Sequence, residues 1–179
     1  ILKIKPTADG KVTEEEIKAI IKEGTEGGEV QEIEQDIVER VFHIGDRKVN
    51  SLMTHRNSLV YLSMEDYDIN SLKAKMLKEL HSVYAVCKDN LDEVVGIVFL
   101  KDLFASFEKG KFDLRAITKE PVYFIEHTSA YKALEIFKKS KVHYALVTDE
   151  HGMIQGIITL NDILEALVGD AADFYEEEF

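Results

Sequence analysis

The apolar residues of this chain follow two kinds of pattern, and the change from one to the other divides it. Between Thr13 and His43 they recur at helical spacing: Ile17, Ile20 and Ile21 form one stripe, and Val30, Ile33, Ile37, Val41 and Phe42 form another, each set among acidic residues. Two helices are expected here. Thr13-Glu14-Glu15-Glu16 has the spacing of a capping box, so the first should start at Thr13, and Gly24 with Gly27-Gly28 should stop it. The second should run from about Glu29 to His43, with Gly45 ending it. Ile1 to Gly10 has no period and reads as a connector.

From Val49 onward, short apolar runs alternate with amphipathic stretches. Leu59 to Leu62 reads as a strand, and Asp66 or Asp68 can cap a helix whose apolar face is Ile69, Leu72, Met76, Leu77 and Leu80. Val83 to Val86 and Val94 to Leu100 read as a hairpin about the turn Lys88 to Asp92, followed by a helix from Lys101 to Phe107. The order then repeats. Val122 to Ile125 is a strand, Thr128 caps a helix with Ala130, Ala133, Leu134 and Phe137 inward, and a second hairpin joins Tyr144–Val147 to Ile154–Thr159 before a last helix ends near Gly169. Tyr144-Ala145-Leu146-Val147 answers Tyr84-Ala85-Val86-Cys87, and Gly156 to Asp162 answers Gly96 to Asp102, both sixty residues apart with no gap. This is a duplication. The fold class is therefore α+β: linker helices over 1–48, one β-α-β-β-α repeat over 49–110, a second over 111–169, and an acidic, aromatic tail over 170–179.

Composition narrows the function classes. The chain has 45% hydrophobic and 31% charged residues, as a soluble globular protein does. A formal net charge of -12 with scattered Lys and Arg argues against nucleic acid as a partner. No apolar run is long enough to span a bilayer. The single cysteine, Cys87, lies in an apolar strand and reads as a packed thiol. No Gly-x-Ser-x-Gly, Walker loop or paired catalytic carboxylate is present, so the chain is not read as an enzyme. The six histidines lack metal-ligand spacing, and the acidic residues between Glu14 and Glu34 fall opposite the apolar stripes as a solvated face; no metal site is expected.

The segment with the most chemistry is Gly156-Ile157-Ile158-Thr159-Leu160-Asn161-Asp162, a strand running straight into a helix. Its Thr159-x-x-Asp162 has two readings. It can be a helix cap, Thr at the junction and an acid three residues on. It can also present a hydroxyl and a carboxylate to a ligand between the repeats. Spacing alone favours the cap; the duplication favours the ligand.

A duplicated unit whose last strand ends in Gly-apolar-apolar-Thr-x-x-Asp resembles the cystathionine-beta-synthase (CBS) domain pair, two repeats packed about a pseudo-twofold axis. The flanks, Phe42-His43-Ile44-Gly45-Asp46-Arg47-Lys48-Val49 and Leu52-Met53-Thr54-His55-Arg56, are similar to the CorC/HlyC group of haemolysin-like magnesium and cobalt efflux proteins. The resemblance runs from about Thr13 to the acidic tail. It implies a regulatory module on the cytoplasmic side of the cell membrane, acting as a homodimer, between a membrane-spanning domain and a small C-terminal domain. It also implies an adenine nucleotide, ATP or AMP, with Mg2+ where phosphates are present, bound in the cleft between the repeats. Thr159 and Asp162 would hold the ribose; Val83, Tyr84 and Val122 would line the adenine slot; Thr54, Arg56, Thr118 and Lys119 would face the phosphates. In the first repeat the signature threonine is Phe99, leaving Asp102 alone, so one working site is expected rather than two. The rival reading is a dimerisation module with no ligand.

Overall fold

In the computed structural model of the chain, which describes residues 12–65, 69–78, 80–108 and 112–169, the capping box at Thr13 forms. Thr13 Oγ1 accepts from Glu16 N at 3.2 Å and Glu16 Oε2 accepts from Thr13 N at 3.0 Å. Helix α1 (Glu14–Glu26) passes through Gly24 and ends at Gly27, because the missing side chain at Gly24 makes room for Val30 on the returning chain. Helix α2 (Glu32–Asp46) starts later than the stripe suggested, at a second box in which Glu34 returns a bond to Gln31 N at 2.9 Å. It runs through Gly45, where the Tyr131 ring packs against the backbone. Both glycines serve close packing rather than termination.

The remaining elements are β1 (Thr54–His55), β2 (Tyr61–Ser63), α3 (Ile69–Lys78), β3 (Val83–Cys87), β4 (Val94–Phe99), α4 (Leu100–Glu108), α5 (Leu114–Ile117), β5 (Tyr123–Ile125), α6 (Ala130–Ser140), β6 (Tyr144–Thr148), β7 (Ile154–Thr159) and α7 (Leu160–Val168). One sheet has the order β2-β3-β4 and the other β1-β7-β6-β5. Each repeat pairs its first strand parallel to the next and closes with an antiparallel hairpin, the β-α-β-β-α order read from sequence. Ser129, not Thr128, caps α6, its hydroxyl accepting from Lys132 N; the Thr128 carbonyl instead accepts from Val49 N at 2.9 Å. The Asp66 or Asp68 cap, the Gly110 region, Ile1 to Gly10 and the tail over 170–179 lie outside the described residues.

Two findings depart from the sequence reading. The first concerns where the repeats divide. Val49 and Met53, expected to open the first repeat, are buried in the core of the second with Phe124, Phe137 and Ile163, and β1 pairs with β7. Reciprocally, Leu114 is buried in the core of the first repeat, and Lys119 bridges Ile97 of β4 with bonds of 2.8 and 2.9 Å. Each repeat's leading segment crosses to the other. Glycine permits the crossing at both places: a Cβ at Gly156 would overlap the Thr54 carbonyl oxygen, and one at Gly96 would lie 2.6 Å from that of Lys119. The signature glycines are there so that a foreign strand can approach.

The second concerns register. Val83 pairs with Phe99 while Tyr144 pairs with Thr159, so Tyr144 is the counterpart of Val83 and not of Tyr84. The duplication contains a one-residue offset in this strand. Because strand side chains alternate faces, that offset puts the two tyrosines on opposite faces. Val83, Ala85 and Cys87 share a core with Leu146, Ile154 and Ile157 between the sheets, with Phe99 and Tyr144 packed at it, whereas Tyr84 turns into its own repeat's core.

Candidate functional site

At the junction of β7 and α7, the cap forms in full. Thr159 Oγ1 accepts from Asp162 N at 3.2 Å, and Asp162 Oδ2 accepts from Thr159 N at 2.6 Å. The cap uses one carboxylate oxygen. Asp162 Oδ1 takes no hydrogen bond from any described residue and remains able to accept from a ligand. Asp162 and Thr159 lie on the wall of a cleft of about 660 Å³ to which both repeats contribute. Leu59, Val60, Val83, Ala85, Val142 and Ile157 give it apolar surface; Thr54, Ser82, His81, His143 and Asn161 give it polar groups. It has the size and mixed lining of a small-molecule site.

The corresponding junction of β4 and α4 is occupied by the protein itself. Phe99 meets Tyr144 edge-on at 5.0 Å between ring centroids. Lys119 Nζ sits 2.8 Å from Asp102 Oδ2 and 4.7 Å from the Phe99 centroid. A ligand there would have to displace both a cation and a ring. Burial pushes the Tyr144 phenol above its ordinary value, opposed by the charge of Lys119, so this aromatic wall is uncharged near neutral pH.

Of the residues singled out from sequence, the cleft gathers Thr159, Asp162, Thr54 and Val83. The other five are elsewhere, Lys119 among them on Asp102 as described above. Tyr84 is fully buried, its hydroxyl accepting from His81 N at 2.9 Å, on the face opposite Val83. Arg56 is a strut: its guanidinium holds Asp92 at 2.9 Å on the first hairpin and the Ile154 carbonyl at 3.1 Å on the second. Thr118 closes α5 by donating to Leu114 O at 2.7 Å. Val122 packs on the second repeat's core, and its carbonyl accepts from Leu146 N. Sequence reasoning missed Lys101, Lys141, His81, His143 and Asn161. The available signal was position, since these residues immediately precede the hairpins or follow the signature junctions.

Among the described residues, no group of three His, Cys, Asp or Glu is placed to hold a metal ion, and no helix is long and apolar enough to cross a membrane.

Comparison with known proteins agrees with this geometry. The family described as the CBS domain matches residues 113–169. A UPF0053 protein of Synechocystis sp. is 42% identical over 160 residues, 88% of this chain and 35% of that protein. The magnesium and cobalt efflux protein CorC of Pasteurella multocida is 29% identical over 92% of this chain and 55% of its own length, and a polyamine export protein of Salmonella typhimurium is 29% identical over 95% and 38%. The chain thus spans about a third to a half of these relatives. Among solved structures, the CBS domain of a bacterial CNNM/CorC family Mg2+ transporter superposes with a TM-score of 0.77 at 30% identity, covering 89% of this chain and 98% of that one. The CBS domain of a bacterial CNNM/CorC family Mg2+ transporter in complex with ATP gives 0.69 at 27% identity (76% and 98%), and a CBS-domain pair with bound AMP from Klebsiella pneumoniae gives 0.59 at 27% (68% and 98%).

Proposed function

Because the chain belongs to the CBS-domain family, as the domain pair of CorC/haemolysin-like proteins, we propose that it is a regulatory module that binds an adenine nucleotide in the cleft between its repeats. The observation carrying this is the state of Asp162. Its Oδ2 is held by its own helix cap, its Oδ1 takes no hydrogen bond from a described residue, and the residue lines a 660 Å³ cleft. A carboxylate fixed in this way can accept from a ribose hydroxyl in a charge-assisted bond, with Thr159 beside it. The apolar surface of Val83, Ala85 and Ile157 suits a flat base. Asp162 is the one carboxylate among the residues lining the cleft, so Mg2+ would be held by the nucleotide's phosphates and by water rather than by a protein cage.

The signal would leave along α7. Its N-terminus carries Thr159 and Asp162, and its C-terminus abuts α2, where the Arg40 guanidinium lies 3.2 Å from a Cβ built at Gly169. A nucleotide favouring one placement of α7 shifts the population of the linker helices, and through them a membrane-spanning domain of the full-length protein at its cytoplasmic face. The relatives' names include magnesium and cobalt efflux and polyamine export, so the cargo belongs to the rest of the protein. Phe104 on α4 and Leu164 on α7 occupy equivalent positions and are 48% and 42% exposed, apolar side chains available to a second copy of the chain. Their exposure also favours the second reading, a dimerisation module whose cleft stays empty.

Calorimetric titration with ATP, ADP and AMP, each with and without Mg2+, separates the two. Binding in the range of about 1 μM to 1 mM, weakened at least about tenfold by Asp162→Ala, is expected. Silence toward every nucleotide leaves the dimerisation module standing.

A further inference from the structure

We infer that the two hairpins form a hinged pair with one latched jaw and one free jaw: Arg56 is the pivot, Lys119 latches β4 and α4 to the second repeat's leading segment, and β7 with α7 is the arm that moves. This device goes beyond nucleotide binding and stands whether or not the cleft is filled.

The hairpins are joined at one end and parted at the other. At the turn end, Arg56 Nη2 donates to Asp92 Oδ1 at 2.9 Å, just ahead of β4, and Nη1 donates at 3.1 Å to the carbonyl of Ile154, the first residue of β7. One planar guanidinium therefore ties both hairpins, and its rigid fork fixes their spacing there. Leu91 and Ile154 are buried with Cys87 in the core between the sheets, which backs the tie with apolar packing. At the opposite end, about 13 Å away along β3, Val83, Phe99, Tyr144 and Thr159 line the open cleft. Two elements tied at one end and parted at the other change their spacing by turning about the tie.

The two jaws match in backbone and differ in charge. Lys119 pairs with Ile97, and Thr54 pairs with Ile157, the counterpart of Ile97, so a leading segment crosses each returning strand at the same place. Leu100 N donates to Ser82 O at 3.0 Å and Leu160 N to His143 O at 2.8 Å, the same bond in both copies. There the likeness ends. Lys119 Nζ lies 2.8 Å from Asp102 Oδ2 and 4.7 Å from the Phe99 centroid, which fastens the first turn of α4 to the crossing segment. At the second junction the crossing residue is Thr54, and Asp162 has no cation within ion-pair distance among the described residues. The latch is present on one side only.

The linker sits on the free side. Ile44 of α2 is buried in the second repeat's core, the Tyr131 hydroxyl on α6 donates to the Val41 carbonyl at 2.6 Å, and the Arg40 guanidinium lies against Gly169 at the end of α7. A turn of β7 and α7 about Arg56 carries α2 with it, while β4 and α4 serve as the frame. Both ion pairs are partly exposed, so they add little to global stability and act on local opening instead.

The test is amide hydrogen exchange read by NMR on the ligand-free chain, comparing the Leu100 and Leu160 amides, alongside thermal unfolding. Leu100 should have a protection factor at least about threefold above that of Leu160. Lys119→Gln should bring the two within about twofold, Lys119→Arg should keep the difference, and the unfolding midpoint of Lys119→Gln should shift by less than about 3 °C. Thr54→Lys, which gives the second junction the cation it lacks, should raise the protection of Leu160. Arg56→Gln, which frees the shared pivot, should lower both by a similar factor. Equal protection in the unsubstituted chain, a Lys119→Gln effect that is absent or equal at both amides, or an Arg56→Gln effect confined to one junction overturns the inference and leaves nucleotide binding untouched.

Discussion

The junction at Phe99 and the junction at Thr159 have the same backbone course and opposite chemistry. Both follow an antiparallel strand into a helix, both place an aspartate three residues on, and both lie behind a glycine that admits a strand from the other repeat. In the first, Lys119 neutralises Asp102 and Phe99 fills the hydroxyl's place. In the second, the aspartate closes a cap and faces an open cleft. Duplication preserves the scaffold because the scaffold needs the glycine and the pairing. The ligand site needs additional residues, and in the first copy Phe99 and Lys119 together turn the junction into packing.

The largest effects should come from what the two halves share. Gly156→Ala sets a methyl against a backbone carbonyl that cannot swing aside, and Gly96→Ala does the same against Lys119 and Thr118. Each should cost about 3 kcal/mol or more, read as a fall in the urea midpoint. If only one of the two is costly, the crossing of leading segments is not symmetrical. The smallest effect distinguishes the repeats by pH. Lys139 and Lys132 bond Glu135 on α6 and hold its carboxyl down to about 2, whereas α3 carries no such bracketed carboxylate among its described residues. A carboxyl lowered on folding stabilises the native state fully above its unfolded pKa near 4.5, and that contribution fades as pH falls toward 2. The unfolding temperature should therefore drop over that window, and Glu135→Gln should flatten the drop. Because the group is exposed, the change should be small.

Much of the fold was legible in the sequence. The capping box at Thr13, both hairpins and the inner face of α6 follow from local spacing, whereas on α3 only Leu72 and Met76 of the expected face are buried; Leu77 is exposed, and so is Leu80, which lies beyond the helix. What spacing does not carry is which repeat a segment packs into. Val49 and Leu114 look like the starts of their own repeats, and only long-range pairing reveals the exchange. The site was half legible for a related reason. Matching Tyr84 to Tyr144 by sequence put a core tyrosine on the ligand side, because one residue of offset reverses a strand's faces. Lys101 and Lys141 carry no motif; that they line one cleft follows from the fold and not from either residue's neighbours in sequence.

The central claim is a single, asymmetric site, and stoichiometry tests it most directly. Mg-ATP titrated into the chain, into Asp162→Ala and into Asp102→Ala should saturate at one nucleotide per chain, with affinity lost at least about tenfold in the first variant and kept within about threefold in the second. Saturation at two per chain, or an Asp102→Ala variant as impaired as Asp162→Ala, would contradict it.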